Sequence, residues 1–156
     1  MISNILTKDI SEKYIYKFNA HIDLEPLNRV FSLEDTYTSF YKNKHFSLKR
    51  GDSYLQLDVN NTDPIIILDS LKIKPHNVIL KCAIESTQNT MFVIYYKKTR
   101  DAIYNESDAF RVRLSKGMNE FNLLIPSIYI SNNMRIDLVD KIGKYRIHDF
   151  SIFTVK

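Results

Sequence analysis

Hydrophobic and polar residues alternate along most of this chain. In residues 54–59, for example, Leu55, Leu57 and Val59 alternate with polar residues. Because successive side chains of a β-strand point to opposite faces, such a segment predicts a strand with one buried and one solvated face. Comparable segments are residues 78–84, 92–96, 110–114, 121–125, 134–138 and 145–147. Seven or more short strands with this spacing predict an all-β fold, namely a two-sheet antiparallel β-sandwich.

Turn-forming residues separate the predicted strands. Residues 60–64 and 140–143 are turn clusters, and residues 115–119 predict a tight hairpin in which Gly117 supplies a positive φ. The last strand changes parity, because Ile147 and Ile152 can share a face only if a β-bulge lies between them. The connections are therefore expected to be short, and the last strand irregular.

The N-terminal part of the chain follows the alternation less closely. We interpret residues 1–156 as a single β-sandwich domain with residues 1–45 as an N-terminal extension. Residues 3–12 have the spacing of a short amphipathic helix. Residues 33–41 also have helical spacing behind a candidate cap at Ser32, although a loop fits the same stretch.

Composition narrows the class of protein. With 44% hydrophobic and 26% charged residues in 156 positions, the chain has the balance and size of a globular domain. Its net charge of +4 is interspersed with acidic residues, whereas nucleic-acid binders concentrate basic residues on one face or arm, so no nucleic-acid partner is expected. There is no apolar run of about 20 residues to span a membrane. We expect a cytoplasmic location, and the abundance of Lys, Asn and Ile is typical of an AT-rich bacterial coding sequence.

The sequence contains no motif that specifies a reaction. None of its three glycines lies in a phosphate-binding loop. The four histidines, at positions 21, 45, 76 and 148, have no metal-ligand spacing with one another. Cys82 is the only cysteine and has the inward parity of its strand, which predicts a buried, inert thiol. We therefore predict no cofactor, no metal site and no nameable catalytic residue.

A polar segment at residues 99–107 is the first candidate ligand-binding site. It offers the aromatic ring of Tyr104, the amide of Asn105 and the carboxylate of Glu106 between two predicted strands. Sugar recognition uses an apolar stacking face together with planar groups that bind neighbouring hydroxyls. The more common explanation of such a segment is a long hairpin whose Asn and Ser residues close their own turns.

Outward-facing arginines form the second candidate site. Arg111 and Arg113 share one face of a predicted strand, and Arg135 has the same parity on a later one. If these faces coincide with that of Lys144 and Arg146, they form a basic stripe suited to anionic sugars or phosphate groups. More often, such charges only keep the outer face of a sheet soluble.

The last ninety residues contain a series of short motifs in a characteristic order. The motifs are the aromatic strand at 91–96, Asn-Glu-Ser at 105–107, Lys-Gly-Met-Asn at 116–119, Arg-Ile-Asp at 135–137 and Gly-Lys-Tyr-Arg-Ile at 143–147. This series resembles the β-sandwich accessory domains attached to bacterial glycosyltransferases of cell-surface polysaccharide synthesis. Those domains are similar to jelly-roll, galactose-binding-like and carbohydrate-binding modules. These 156 residues depart from the pattern in that they contain no Trp and include no transferase domain.

The resemblance implies a non-catalytic carbohydrate-binding or targeting module, with a glycan as ligand and a glycosyltransferase as a candidate partner. A docking or dimerisation domain that uses Met91, Val93 and Tyr95 is the second hypothesis. A jelly-roll sugar-modifying enzyme is the third, and the scattered histidines argue against it. Oligomeric state is left open by the sequence.

Overall fold

The structure, a computed structural model, describes residues 15–18, 27–36, 41–69, 77–97, 103–126 and 133–154. Twelve strands and one short helix lie within these ranges. The strands are β1 (Tyr16–Phe18), β2 (Asn28–Ser32), β3 (Tyr41–Lys42), β4 (Phe46–Arg50), β5 (Leu55–Val59), β6 (Ile66–Asp69), β7 (Val78–Ser86), β8 (Thr90–Tyr95), β9 (Ala109–Leu114), β10 (Gly117–Ile125), β11 (Asn133–Asp137) and β12 (Gly143–Thr154). The helix α1 is Leu33–Thr36.

The strands form two antiparallel sheets. In the large sheet the order is β1-β10-β7-β12-β5-β4, and β2 also pairs with β12. The small sheet has the order β3-β6-β11-β8-β9. Apolar residues from both sheets form one buried cluster between them. The prediction of an all-β, two-sheet antiparallel sandwich is confirmed, because each alternating segment forms a strand with one face in this cluster.

Three aromatic side chains join the two sheets in the core. The ring of Phe92 on β8 lies 5.1 Å from that of Phe121 on β10 and 6.4 Å from that of Phe150 on β12, measured between centroids. Cys82 is buried nearby in the same cluster. Burial raises the pKa of this thiol, which keeps it protonated and unreactive as predicted.

Several connections cross from one sheet to the other. β9 belongs to the small sheet and β10 to the large sheet, and the two strands do not pair. The predicted hairpin at residues 115–119 is therefore wrong, since the turn is a crossing between sheets. Gly117 does have the predicted positive φ, at 102°, and a Cβ there would meet no atom within 4 Å, so its backbone conformation is what requires glycine.

The predicted bulge in the last strand is confirmed. In the pairing of β12 with β7, Ile147 lies opposite Ile84 and Asp149 opposite Ala83, so His148 is an extra residue. The extra residue restores Ile152 to the buried face that Ile147 occupies upstream.

The helical predictions near the N-terminus have a mixed outcome. Residues 3–12 and 37–40 lie outside the described residues. Within the described residues the helix α1 is Leu33–Thr36, directly after Ser32, and Tyr41 begins β3, so a helix that reaches Tyr41 is wrong. In the described part of the chain, no helix is long and apolar enough to cross a membrane.

Candidate functional site

The outer face of the small sheet brings β8, β9 and β11 side by side. Phe92 and Ile94 on β8 belong to the core cluster, so the alternate residues of that strand face outward. Tyr95 lies opposite Arg135 on β11. In the next row, Val93 lies opposite Arg111 on β9. Strand register therefore places two of the predicted arginines on one surface.

Arg135 occupies the centre of this surface. Its guanidinium carbon lies 4.2 Å from the centroid of the Tyr95 ring. Its Nε donates to Asp137 Oδ1 at 3.2 Å, and its Nη2 donates to Asp137 Oδ2 at 3.0 Å and to Asp63 Oδ1 at 2.7 Å. Only 17% of the Arg135 side chain and 6% of the Asp137 side chain are exposed. The guanidinium thus covers the tyrosine ring and is held there by the two aspartates.

Tyr95 connects this centre to a more exposed ion pair. The Tyr95 hydroxyl donates to Glu106 Oε1 at 2.7 Å. Arg111 Nη2 donates to Glu106 Oε2, and also to the Glu106 carbonyl oxygen at 3.2 Å. The Glu106 side chain is 76% exposed and that of Arg111 is 40% exposed. We call the linked set Asp63, Tyr95, Glu106, Arg111, Arg135 and Asp137 the Tyr95 network.

The pKa values of Tyr95, Glu106 and Asp137 depart from their ordinary ranges. Burial raises the pKa of Tyr95, and its hydrogen bond to Glu106 adds to the effect. That same hydrogen bond, with help from Arg111, lowers the pKa of Glu106. Burial raises the pKa of Asp137 to about 6, against the opposing influence of Arg135. At neutral pH the network therefore presents an ionised Glu106 to solvent beside a protonated Tyr95.

Asn105 holds the turn that carries Glu106. Its Oδ1 accepts hydrogen bonds from the backbone N–H of Ser107 at 3.0 Å and of Asp108 at 3.1 Å, and from the Ser107 hydroxyl. Its Nδ2 donates to Asp108 Oδ2 at 3.1 Å. The amide is thus engaged in closing the turn, which is what the more common explanation of this segment predicted.

Tyr104 lies on the approach to this turn and is half-buried. The ammonium nitrogen of Lys97 lies 4.5 Å from the centroid of its ring. The preceding residues 98–102 are outside the described residues. The part of the predicted loop site that the structure describes is therefore Tyr104, Asn105 and Glu106, and Glu106 is the one that joins the Tyr95 network.

Arg113 shares the outward side of β9 with Arg111 but is not part of the Tyr95 network. It is exposed at the position opposite Met91, one row beyond Arg111. Lys144 and Arg146 lie on β12 in the large sheet, where Arg146 pairs with Glu85 at 3.5 Å. A basic stripe that includes these two residues is wrong, because their strand is in the opposite layer of the sandwich.

The two candidate sites predicted from the sequence meet at one place. Glu106 from the loop and Arg111 and Arg135 from the strands belong to the same network. Tyr95 and Asp63 were not among the predicted ligand-binding residues. Asp63 could not have been found from local pattern, since it lies 72 positions from its partner Arg135.

The apolar docking surface predicted at Met91, Val93 and Tyr95 is wrong. Val93 is 6% exposed and Tyr95 is 5% exposed, although both are on the outer face. The guanidinium of Arg135 covers the tyrosine ring. The side chains of the Tyr95 network that are exposed here are therefore those of Glu106 and Arg111, not the tyrosine ring. Within the described ranges, no three His, Cys, Asp or Glu side chains lie close enough together to hold a metal ion.

Comparison with known proteins finds similarity in structure only. No family model matches the sequence, and no curated protein matches it. The tandem CBM22-1–CBM22-2 domain of Xyn10C from Paenibacillus barcinonensis superposes with a TM-score of 0.54 and 15% identity over 81% of this chain and 50% of that chain. A family 29 carbohydrate-binding module from Piromyces equi superposes with a TM-score of 0.50 and 15% identity, over 76% of this chain and 82% of that chain. A structure named "CBM4 structure and function" superposes with a TM-score of 0.50 and 8% identity, over 97% of this chain and 94% of that chain. The chain therefore has the β-sandwich fold found in carbohydrate-binding modules.

Proposed function

We propose that this protein is a non-catalytic carbohydrate-binding module that binds glycans on the outer face of its small sheet. The observation that carries the proposal is the exposed Glu106–Arg111 pair, which is hydrogen-bonded to the Tyr95 hydroxyl on a sandwich of the kind found in carbohydrate-binding modules. Rigid strands and a closed turn place both groups before any ligand arrives.

The chemistry of the pair suits neighbouring sugar hydroxyls. A carboxylate accepts two hydrogen bonds in one plane, and a guanidinium donates up to five in a fixed fork. Arg111 directs one nitrogen, Nη2, to Glu106 and has further donors for a ligand. Glu106 is ionised and mostly exposed, so its remaining lone pairs can accept hydrogen bonds from sugar hydroxyls.

Recognition at this site is expected to depend on hydrogen bonds more than on ring stacking. Arg135 already occupies the face of Tyr95, and Asp63 and Asp137 hold Arg135 in place. Shallow polar sites of this kind bind weakly, with Kd values from micromolar to millimolar, or about −4 to −8 kcal/mol. Tyr104 and Arg113 lie beside the site as further candidate contacts.

The cellular setting of the proposal comes from the sequence alone. The motifs in the last ninety residues support a role in bacterial cell-surface polysaccharide synthesis, where the module would hold a glycan near a cytoplasmic glycosyltransferase. We expect a glycosyltransferase to bind this protein, and we expect the affinity of that transferase for the glycan to fall when this protein is absent. Docking through the outer face of β8 is not favoured, because Val93 and Tyr95 are buried.

A glycan-array screen followed by calorimetric titration tests the proposal. We expect binding of at least one glycan class, weakened about fivefold or more in Glu106→Gln and Arg111→Gln, since each variant removes one charged hydrogen-bonding group. Glu106→Gln keeps an acceptor for the Tyr95 hydroxyl, so the fold is expected to be retained.

Two matched variants on the opposite layer control for surface charge. Glu120→Gln removes an exposed carboxylate on β10, and Arg146→Gln breaks the exposed Arg146–Glu85 pair on β12. Both are expected to bind like the original protein. An array without hits for the folded protein, or equal losses in the control variants, would contradict a glycan site at the Tyr95 network.

A further inference from the structure

An open groove of about 440 Å³ lies at one end of the sandwich. Three crossings between the sheets meet there, namely the connections β7–β8, β9–β10 and β11–β12. The groove is lined by Asn89, Arg113, Ser115, Asp140 and Lys141, among others. Its volume is within the range of small-ligand sites, about 300–1,000 Å³.

The charges that line the groove have a net value of +1. Arg113 and Lys141 are exposed, and neither forms an ion pair with any residue in the part of the chain that the structure describes. Asp140 is the only acidic residue among the described residues that line the groove. Its Oδ1 already accepts hydrogen bonds from the Thr90 hydroxyl at 2.6 Å and from the Met91 backbone N–H at 3.0 Å. Two cationic side chains are thus available to a ligand, and one oxygen of the carboxylate is occupied.

The walls of the groove are held in place by hydrogen bonds from outside it. The hydroxyl of the buried Tyr145 donates to the Lys141 carbonyl oxygen at 2.7 Å, and Gln88 Nε2 donates to the Ile142 carbonyl oxygen at 2.7 Å. On the other wall, Asn119 Oδ1 accepts from the Ser115 backbone N–H at 2.9 Å, and its Nδ2 donates to the Ser115 carbonyl oxygen at 2.8 Å. The backbone around both cations is therefore fixed before a ligand binds.

Neutral groups in the groove add hydrogen-bonding capacity. Asn89 Oδ1 accepts from the backbone N–H of Lys116 at 3.1 Å, which leaves its amide NH₂ as a donor. The second oxygen of Asp140 makes no hydrogen bond with the described residues and can accept a hydrogen bond from a hydroxyl group of a ligand. Two cations, an amide donor and a carboxylate acceptor suit a molecule that combines one negative charge with hydroxyl groups.

We propose that this groove binds a sugar carrying a single negative charge, with Arg113 and Lys141 taking its carboxylate or sulfate ester. The net charge of +1 matches a monoanion, because the second charge of a dianion such as a phosphate monoester would face Asp140 with no further cation to pair with it. The identity of the ligand as a sugar rests on the proposed function, whereas the preference for one negative charge rests on the groove.

Two residues that line the groove, Met91 and Arg113, lie on the same outer face as the Tyr95 network. Arg113 is two residues beyond Arg111 on β9, about 7 Å along the strand. Met91, across from Arg113, is four residues from Tyr95 on β8, about 13 Å. An extended glycan can therefore contact the network with neutral residues and the groove with an acidic one.

Titration of the ¹⁵N-labelled protein with sugars that differ only at carbon 6 tests this inference. The probes are glucose, glucuronic acid, glucose 6-sulfate and glucose 6-phosphate, with the corresponding galactose series. We expect shifts of the amide signals of Asn89, Ser115 and Lys141 with the uronic acid or the sulfate ester, and at least threefold weaker binding of the neutral parent and of the 6-phosphate.

Charge-removing variants identify the residues responsible. Arg113→Gln and Lys141→Gln are each expected to weaken binding of the acidic sugar about threefold to tenfold. Lys49→Gln, an exposed lysine on β4, is the matched control and is expected to change nothing. Since all three side chains are exposed, thermal melts are expected to confirm that the variants fold.

The outcomes separate this inference from the proposed function. Equal binding of the acidic sugars and their neutral parents, or no effect of either variant, overturns the groove site even if Glu106→Gln still weakens neutral glycan binding. Tighter binding of the 6-phosphate, matched by inorganic phosphate, overturns the preference for a monoanionic sugar. A groove that binds acidic sugars while Glu106→Gln has no effect overturns the Tyr95 network as a glycan site and leaves the groove in place.

Discussion

Asp137 carries a charge that its surroundings in the folded protein oppose. Its side chain is 6% exposed, and burial raises its pKa to about 6 even though it contacts Arg135. In an unfolded chain the pKa of an aspartate is about 3.9. Between these two values the folded protein binds more protons than the unfolded one. Stability therefore falls as pH rises through this window, and the contribution of the protonated Asp137 is fully present only below about pH 4.

The Asp137→Asn variant is expected to lose this pH dependence. Relative to the variant, the original protein should lose about 2–3 kcal/mol of unfolding free energy between pH 4 and pH 7, since one pKa unit corresponds to about 1.4 kcal/mol. Urea unfolding at several pH values measures the difference. Asp35→Asn, which changes an exposed carboxylate, is the control. Parallel pH profiles for the original protein and Asp137→Asn would show that Asp137 is already ionised at pH 4.

Among the elements, the turn at residues 105–108 controls the placement of the exposed carboxylate. One amide, that of Asn105, satisfies two backbone N–H groups and the Ser107 hydroxyl. The sequence indicated both explanations of this segment, a ligand site and a self-closing turn. The structure shows that Asn105 serves the turn while Glu106, its neighbour, faces solvent.

The variant Asn105→Ala is expected to affect stability and binding together. Loss of the turn bonds should cost about 1–2 kcal/mol of unfolding free energy and weaken glycan binding, because the turn no longer holds Glu106 in its hydrogen bond with the Tyr95 hydroxyl. Ser107→Ala removes a single hydroxyl from the same turn and should cost about 0.5 kcal/mol with binding unchanged. Thermal unfolding and calorimetry on the two variants give the comparison. If the Asn105→Ala protein is destabilised but still binds glycan with full affinity, the turn is not needed to place the binding site.

The connections between strands show what alternation does not encode. The pattern identified β9 and β10 as adjacent strands and Gly117 as the residue of positive φ between them. It did not distinguish a hairpin from a crossing, because both place a short turn between two alternating segments. The difference matters for Arg113. After a hairpin it would lie within one continuous sheet, whereas at the crossing it lines the groove at the end of the sandwich.

At the scale of the whole molecule, the contact of three phenylalanine rings holds the sheets together. Phe92 is fully buried and contacts Phe121 and Phe150 of the opposite sheet. The outer face that carries the Tyr95 network is formed by the same strand, so core packing and site geometry depend on one element.

Phe92→Ala is expected to destabilise the protein by about 3–5 kcal/mol, since it removes a large buried side chain and leaves a cavity between the sheets. Phe92→Leu, which retains most of the volume, should cost about 1–2 kcal/mol. Ile103→Ala, at a residue that is 81% exposed, should change the unfolding free energy by less than about 0.5 kcal/mol. Chemical denaturation gives all three values. A loss below about 1 kcal/mol in Phe92→Ala would mean that the two sheets are joined elsewhere.

Much of the fold was predictable because strand periodicity is a local property. The inward residues of β5, β7 and β10 follow directly from alternation, and the bulge at His148 follows from the parity of Ile147 and Ile152. The four strands before β5 were not predicted individually. Two of them, β1 and β3, have only three and two residues, too few to show a period.

The sequence by itself determined the class of fold and the chemical groups available, since strand parity and side-chain type are local. The tertiary structure alone decided which groups meet. It brought Asp63, Glu106 and Arg135 to one face, and it placed Lys144 and Arg146 on the other layer. The physical reason is that pairing and register between distant strands follow from burial of both sheets in one core, and this burial depends on the whole chain at once.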